Sequence, residues 1–344
     1  MPLFIDTSRT VKDRDASFIW PRQRTAPRIA ERSSRCVTIG LLNNMTDSAF
    51  RATERQFVSL LDGASDNIPI RLVLYTLPGI RREGASLHHA ESFYSSVETL
   101  GEIPLDGLIV TGREPVTADL RTETYWKSFT RVLGWARENT YSTVWSCLAA
   151  HAAILHMDGI ERRKSEHKHF GVLECTPELG HPLLTGMPPR FCVPHSRWNG
   201  VAAEELEDRG YTVLVRSNGA GVDTFVKQDG SLFVFFQGHP EYEADTLLRE
   251  YRRDAGRYLR GESDNFPLIP AGYFNQTTAD ALSALREKAL KRRDKQLLEQ
   301  VSAVLEKPEV ENTWRTTAAL VYRNWLEYIC SCKEEGQTNR VLIA

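Results

Sequence analysis

Between residues 35 and 158, near-continuous apolar runs alternate with amphipathic stretches, and no other feature of the sequence constrains the fold as strongly. Four runs are rich in β-branched residues and leucine and are predicted to be strands buried on both faces: RCVTIGLLNN (35–44), IPIRLVLYTL (68–77), LDGLIVTG (105–112) and STVWSC (142–147). Helical spacing of apolar residues follows the first, third and fourth runs. The alternation predicts an α/β fold of the flavodoxin-like kind, with a mostly parallel sheet flanked by helices.

The second half of the chain has a different pattern. Short apolar runs such as FGVLEC, RFCVPHSR and LFVFFQGHPE follow one another with turn signals between them, which predicts antiparallel additions to the sheet. Three further helices are expected: 243–260, about 277–306 and 317–332. The predicted organisation is an N-terminal arm, a catalytic α/β domain and a helical C-terminal extension packed on that domain or on a dimer partner: 1–35, 36–265 and 266–344.

Composition excludes several classes of protein. The 344 residues carry a net charge of −2, which gives no argument for a nucleic-acid or membrane partner. No apolar stretch approaches the roughly 20 residues that span a bilayer, and the N-terminus lacks the apolar segment of a signal peptide. Six cysteines without a C-x-x-C pair argue against a zinc ribbon and for free thiols. We therefore expect a cytoplasmic protein.

Cys147 stands where the fourth predicted strand meets the following helix. Ligands gather at the carboxyl ends of strands in an open parallel sheet, and a helix N-terminus favours the thiolate form of a cysteine. The unsatisfied N–H groups of the first helical turn can also hold an oxyanion. A nucleophile and a small apolar residue at a crowded corner are both consistent with this position.

The segment FFQGHPEY supplies a candidate base. His239 and Glu241 follow the most apolar run of the sequence, and residues two apart in an extended segment share a face. Glu241 can thus orient the imidazole of His239, which can accept a proton from Cys147 or from an incoming hydroxyl. A His-Pro turn with a solvated glutamate is the alternative. His151, one helical turn after Cys147, is a second candidate base.

Other polar residues give weaker signals. Arginines in PHSRW (194–198) and in REYRRDAGRYL (249–259) are candidates for binding a substrate carboxylate. His167 and His169 are too few to form a metal site, so no metal is predicted. His88 and His89 are expected at the surface.

Together these segments resemble the homoserine O-acyltransferase (homoserine O-succinyltransferase) family, a branch of the class I glutamine amidotransferase-like fold. The likeness runs from about residue 36 to about residue 330 and is weak at 275–308. The segments that carry it are DGLIVTG, YWKSFTRVLGWARENTYSTVWSCLAAHAAI, HKHFGV, VPHSRW, GHPEYEADTLLREYRRD and ALVYRNWLEYI.

The resemblance implies a role for individual residues. Cys147 matches the acyl-accepting nucleophile, His239 the general base and Glu241 the carboxylate that orients it. The remaining matches are substrate-binding residues: Lys168 of the substrate pocket, Ser196 and Arg197 of the PHSR segment, and Arg253, which holds the carboxylate of the amino acid.

The resemblance also implies the reaction. The family takes an acyl group from acyl-CoA, either succinyl-CoA or acetyl-CoA, and transfers it through an acyl-enzyme to the hydroxyl of L-homoserine. It acts in methionine biosynthesis as a homodimer, with acyl-CoA as co-substrate and no bound cofactor or metal. A covalent intermediate at Cys147 predicts ping-pong kinetics.

Two segments depart from the family pattern. In NNMTDSAF (43–50), Thr46 and Asp47 or Ser48 stand where the family has proline and an oxyanion-stabilising lysine. Asn44 and the backbone N–H groups near Leu148 are then the candidates for that role. TGREPVTADL (111–120) departs from the TGAP turn, which helps to choose between succinyl and acetyl donors.

These departures leave three alternatives open. Succinyl-CoA is favoured over acetyl-CoA as donor, and serine remains possible as acceptor in place of homoserine. A glutamine amidotransferase-like hydrolase is the second hypothesis, although WSCLA lacks the glycines that usually give the strained nucleophile turn. A non-catalytic homologue is the third.

Overall fold

The structure is a computed structural model that describes residues 3–6, 36–178, 180–306 and 310–343. Most of the predicted N-terminal arm lies outside the described residues. Its residues Leu3–Ile5, however, form a strand that pairs in parallel with Ile70–Leu72 at one edge of the sheet. The first strand therefore precedes the run at which the sequence pattern begins.

Within the described residues, one mixed sheet contains eleven strands. Seven of them run parallel: β1 (Leu3–Ile5), β2 (Val37–Leu42), β3 (Ile70–Thr76), β4 (Ser95–Ser96), β5 (Gly107–Val110), β6 (Ser142–Ser146) and β11 (Ser231–Phe236). The other four add an antiparallel half: β7 (Arg163–Pro177), β8 (Phe191–Gly200), β9 (Thr212–Ser217) and β10 (Gly221–Asp229). The order is β1-β3-β2-β5-β6-β11-β10-β9-β7-β8, with β4 beside β3.

The helices that the structure describes are α1 (Asp47–Ala64), α2 (Gly84–Phe93), α3 (Trp126–Asn139), α4 (Leu148–Asp158), α5 (Ala203–Glu207), α6 (Thr246–Leu259), α7 (Gln276–Lys291), α8 (Gln296–Val304) and α9 (Arg315–Ile343). None of them is long and apolar enough to cross a bilayer. The predicted α/β architecture, with a mostly parallel sheet and antiparallel additions, is confirmed.

The parallel strands are covered on both faces, which explains their near-continuous apolar sequence. Val144 on one face of β6 joins the core formed with α1 and α9, while its neighbour Trp145 joins the opposite core with α3 and α4. Phe57 of α1 and Trp325 of α9 anchor the first core, and both are fully buried. These two layers fix the carboxyl ends of β6 and β11 side by side.

The C-terminal extension differs from the prediction in detail. The single helix expected at 277–306 is two helices, because the chain becomes extended at Arg292 and the carboxylate of Asp294 accepts the backbone N–H of Gln296 at the start of α8. The final helix begins at Arg315 and continues to Ile343, beyond the predicted end at 332. Helices α7 and α8 pack with α6 around a third apolar core that includes Trp314.

Candidate active site

Cys147 occupies a strained turn between β6 and α4. Its backbone has φ 51° and ψ −112°, a region that side-chain-bearing residues rarely adopt. Its N–H donates to the carbonyl of Phe236 at 2.7 Å, so the β6–β11 ladder extends up to the thiol-bearing residue. Such strain costs on the order of 1–3 kcal/mol and persists only where the surroundings fix it. The turn holds the sulfur, which is partly exposed, at the carboxyl edge of the sheet.

Space for this turn comes from a glycine on another strand end. A Cβ at Gly112 would lie 2.7 Å from the nitrogen of Leu148 and 2.9 Å from that of Ala149, closer than real Cβ atoms come. The absence of glycines in WSCLA therefore does not prevent a strained nucleophile turn. The glycine that permits it lies across the turn rather than next to the cysteine.

His239 and Glu241 lie beyond the end of β11, beside Cys147. The imidazole Nδ1 is 2.8 Å from Oε1 of Glu241, and the sulfur of Cys147 is close enough to act on the charge of the same imidazole. Ser146 donates its hydroxyl to the same Glu241 oxygen at 3.3 Å. The ring stacks on Tyr242 with centroids 4.2 Å apart. The structure thus brings together the three residues predicted from two strand ends, with His239 hydrogen-bonded to Glu241 and next to Cys147.

The electrostatics of these three residues favour a charged imidazole. Burial by itself lowers the pKa of His239, but the sulfur of Cys147 and the carboxylate of Glu241 together raise it well above its usual value. A protonated imidazole in contact with sulfur is the partner that stabilises a thiolate. The geometry therefore supports a charged imidazole, held by a buried carboxylate, beside the sulfur of Cys147.

His151, the alternative base, lies elsewhere. Its side chain is buried, and both ring nitrogens lack a hydrogen-bond partner among the described residues. Burial, reinforced by the charges of Arg197 and Arg162, lowers the pKa of His151 to about 3. It is a neutral core residue in the structure.

On the His239 side of the site, charged side chains converge on one glutamate. Glu250 of α6 accepts the hydroxyls of Ser196 at 2.5 Å and of Tyr242 at 2.7 Å. Lys168 of β7 lies 4.0 Å from Glu250 and 3.8 Å from Asp254. Arg253 donates to Asp254 at 2.8 Å and is 46% exposed. We call this set, Lys168, Ser196, Tyr242, Glu250, Arg253 and Asp254, the polar cluster.

Glu250 and Tyr242 were not predicted from the sequence. The usable signal is the position of Glu250 on α6, three residues before Arg253 and so on the same helix face. Arg253 itself experiences three acidic groups: burial opposes its charge, but Asp254, Glu250 and Glu114 together raise the pKa of Arg253. Because Glu114 follows β5, the loop after β5 faces the polar cluster across the site.

Arg197 lies beneath the site. It is 4% exposed, and its guanidinium donates to the carbonyls of Asn199 and Ala220 at 2.6 Å and to His195 Nδ1 at 3.3 Å. These contacts use its donors inside the protein. The expectation that Arg197 binds substrate is therefore replaced by a positioning role for β8.

On the Cys147 side, three loops and the first residue of α4 form a second set that we call the loop cluster: Asn44, Arg82, Gly112, Arg113 and Leu148. Asn44 donates its side-chain amide to the carbonyl of Thr111 at 2.9 Å, while its Oδ1 is buried without a partner among the described residues. Arg82 donates to the carbonyls of Asn43 and Met45 at 2.9 and 3.0 Å, which brings a cation to the loop that lacks the expected lysine.

Cys175, His195 and Asp223 hold three potential ligand atoms within 4.8 Å. Asp223 accepts from the hydroxyl of Thr224 at 2.7 Å and the N–H of Gly238 at 3.1 Å, while His195 Nδ1 accepts from Arg197. Burial raises the pKa of Asp223 and lowers that of His195 well below its usual value. Because the Arg197 guanidinium already donates to His195, a metal cation does not suit this group of side chains. The group suits a hydrogen-bonded support for Gly238 instead.

Comparison with known proteins identifies the family. A family model described as homoserine O-succinyltransferase matches residues 14–335. The chain belongs to the homoserine O-succinyltransferase family. A homoserine O-succinyltransferase from Rhodopseudomonas palustris is 44% identical over 299 residues, 87% of this chain and 90% of that protein. One from Bradyrhizobium japonicum is 43% identical over 294 residues, 85% of this chain and 90% of that protein.

Solved structures were also compared. A glutamine amidotransferase from Thermotoga maritima has a TM-score of 0.46 and 12% identity, and it covers 86% of this chain and 98% of its own. A glutamine amidotransferase from Methylobacillus flagellatus has a TM-score of 0.45 and 16% identity. The match covers 86% of this chain and 96% of that chain. The family membership predicted from the sequence is thus confirmed by its sequence relatives.

Proposed function

We propose that this protein transfers a succinyl group from succinyl-CoA to the hydroxyl of L-homoserine through an acyl intermediate on Cys147, in methionine biosynthesis. The observation that carries this proposal is the arrangement of Cys147 beside His239, whose imidazole is hydrogen-bonded to the buried Glu241. The family supplies the reaction class, and its curated relatives are named for succinyl transfer. An acetyl donor and a serine acceptor are alternatives for the same chemistry.

In the first half-reaction, the Cys147 thiolate attacks the thioester carbonyl carbon. The bond from that carbon to the CoA sulfur then breaks, and the departing sulfur takes the proton of the His239 imidazolium. One thioester replaces another, so the step has little thermodynamic cost. The N–H of Leu148, at the start of α4, is a candidate donor to the oxyanion because the first N–H groups of a helix have no acceptor within it.

In the second half-reaction, neutral His239 takes the proton from the hydroxyl of homoserine. The resulting oxygen attacks the acyl carbon, and the bond to Cys147 breaks to restore the thiolate–imidazolium pair. The polar cluster suits a zwitterionic amino acid, since Arg253 and Lys168 match its carboxylate and Glu250 matches its ammonium group. When the amino acid binds, its charges replace the ion pairs within the polar cluster by equivalent ion pairs with the substrate.

Intact-mass spectrometry tests this proposal directly. Purified protein is mixed with succinyl-CoA, and a mass increase of one succinyl group is expected, mapped to Cys147 by peptide analysis. Addition of homoserine then removes the label and yields O-succinylhomoserine. Cys147→Ala prevents labelling, whereas the matched control Cys36→Ala, at the opposite end of the sheet before β2, does not.

Two results would contradict the proposal. One is the absence of any adduct on Cys147 with either succinyl-CoA or acetyl-CoA. The other is release of ammonia from glutamine at a rate that exceeds acyl transfer, which identifies a glutamine hydrolase instead. A matrix of succinyl-CoA and acetyl-CoA against homoserine and serine separates the remaining alternatives.

We further propose that the protein is a cytoplasmic homodimer. Support comes from the six cysteines, none of which forms a disulfide, and from two exposed leucines on the C-terminal extension, Leu268 and Leu290, which are 43% and 51% exposed. Light scattering coupled to gel filtration measures the mass in solution. A monomer across micromolar concentrations contradicts the dimer, and recovery in a membrane or secreted fraction contradicts the location.

A further inference from the structure

The backbone that carries His239 is held by a buried aspartate. Asp223 of β10 is 1% exposed, and its Oδ1 accepts the N–H of Gly238 at 3.1 Å. The next residue along the chain is His239, whose own N–H donates to the carbonyl of Pro194 on β8 at 2.8 Å. Two strands of the antiparallel half therefore hold the segment that presents the imidazole. The reaction steps above assign no part to Asp223.

The contact between Asp223 and the backbone depends on glycine at position 238. A Cβ added there would lie 2.5 Å from Oδ1 of Asp223 and 2.6 Å from Cγ1 of Val193. Real Cβ atoms do not come so close, and a larger residue would therefore push the carboxylate away from the backbone. The residue directly before His239 is thus the one residue type that lets the carboxylate reach the chain.

The groups around Asp223 favour its ionised form. The hydroxyl of Thr224 donates to Oδ2 at 2.7 Å. Nδ1 of His195 accepts from Nε of Arg197 at 3.3 Å, so the proton of the neutral ring lies on Nε2, which is 3.3 Å from Oδ1 of Asp223. Burial raises the pKa of Asp223, but the Thr224 hydroxyl, the charge of Arg197 and the N–H of Gly238 oppose that rise.

Asp223 and the catalytic imidazole act on each other through their charges. A positive His239 lowers the pKa of Asp223, and by the same Coulombic interaction a negative Asp223 favours the protonated form of His239. Other titratable or charged groups face this pair from neighbouring elements: Cys147, His169, Cys175, His195, Arg197, Glu241 and Tyr242. Glu241 bonds to the ring itself, whereas Asp223 acts through the backbone and through its charge.

We propose that Asp223 is a positioning residue for the general base: it fixes the backbone before His239 through Gly238, and its negative charge stabilises the imidazolium. This inference rests on the proposed acyl transfer and adds a second buried carboxylate to the support of the imidazole. Glu241 sets the orientation of the ring, and Asp223 sets the position of the backbone to which the ring is attached.

The experiment uses Asp223→Asn, which keeps the size of the side chain and an acceptor for Gly238 but removes the charge. Iodoacetamide alkylation of Cys147, followed across pH by peptide mass spectrometry without substrate, reports on the thiol and its imidazole partner. We expect the alkaline transition of this profile to move to lower pH, because His239 loses its proton more readily. In steady-state kinetics we expect kcat to fall about 10- to 100-fold and KM for both substrates to stay within about twofold, the scale of one charge-assisted hydrogen bond that does not touch substrate.

Asp158→Asn is the matched control. Asp158 also accepts a hydroxyl and an N–H donor, from Tyr211 at 2.6 Å and Lys227 at 2.8 Å, but it lies at the far end of α4 from Cys147. This variant should change neither the alkylation profile nor kcat. Thr224→Val provides a milder test at nearly constant volume: loss of its hydroxyl bond to Asp223 should lower kcat about 3- to 10-fold, with KM unchanged.

Two results in a folded Asp223→Asn protein would overturn the inference. One is an alkaline transition at the wild-type pH, since a loss of kcat without that shift indicates a structural role alone. The other is a kcat within about twofold of wild type. If Asp223→Asn does not fold, a wild-type kcat in Thr224→Val overturns the inference instead. Alkylation needs no acyl donor, so a wild-type protein that is inactive with both donors overturns the proposed function while the alkylation profiles still decide the role of Asp223.

Discussion

The polar cluster lies beside His239 and the loop cluster lies beside the turn that holds Cys147, and the two clusters satisfy their polar groups differently. In the polar cluster, Lys168 and Arg253 pair with Glu250 and Asp254, on the regular elements β7 and α6. In the loop cluster, the donors Arg82 Nε and Arg113 Nε lack partners among the described residues. The polar cluster, with its internal ion pairs, suits a zwitterionic ligand whose two charges can replace the partners in those pairs. The loop cluster, with unused hydrogen-bond donors, suits a ligand that supplies an anion.

The largest expected effect comes from replacing His239, which acts in both half-reactions. His239→Asn removes the proton carrier between the two half-reactions while keeping a polar side chain of similar size. We expect kcat to fall by about 10³- to 10⁴-fold with any donor or acceptor, the usual scale for loss of a general base. Steady-state kinetics and single-turnover acylation measure it. A residual rate above about one tenth of wild type would mean that another group carries the proton.

The next prediction separates the role of the polar cluster from that of the loop cluster. Arg253→Ala should raise the KM for homoserine about 10- to 100-fold, because a charge-assisted contact to the substrate carboxylate is lost. Acylation of Cys147 by succinyl-CoA should stay within about twofold, since the donor meets the loop cluster. Arg249→Ala is the control: it lies one helical turn earlier on α6 and pairs with Glu243 and Asp245. Parallel losses in both half-reactions would remove the division between the clusters.

The sequence predicts those residues of the site that directly follow the ends of strands. Cys147 and His239 follow β6 and β11, two long apolar runs, and neighbouring parallel strands bring their carboxyl ends together. The α/β order and the strand positions follow from the same periodicity. These features depend on local pattern, which a single sequence contains.

Side-chain pairs between distant segments could not be predicted. His89, expected at the surface, is buried because its ring bonds to Glu54, 35 residues away, which also accepts the hydroxyl of Tyr94. Glu250 collects partners from two other elements, and Gly112 makes room for a turn on another strand. Each depends on tertiary contacts that leave no periodic signal, as does the break between α7 and α8.

A smaller effect tests how tightly the catalytic carboxylate is held. Ser146→Ala removes one hydroxyl donor from Glu241 but leaves the 2.8 Å contact with His239. We expect kcat to fall less than about tenfold, the scale of one neutral hydrogen bond, with KM for both substrates unchanged. A change confined to KM would show that Ser146 acts on substrate binding instead.

The smallest expected effect concerns the buried His151 and the pH dependence of the protein's stability. His151 of α4 is buried near Arg197, with its pKa lowered to about 3. Between pH 6.5 and that value the unfolded chain binds a proton that the folded chain does not, so stability falls as the pH decreases. His151→Leu should remove this contribution, a relative gain in unfolding free energy of about 2 kcal/mol on going from pH 6.5 to pH 5. Urea melts across this range measure it, with the exposed His156→Leu on the same helix as control; equal slopes in the two variants would show that His151 is not the group that titrates.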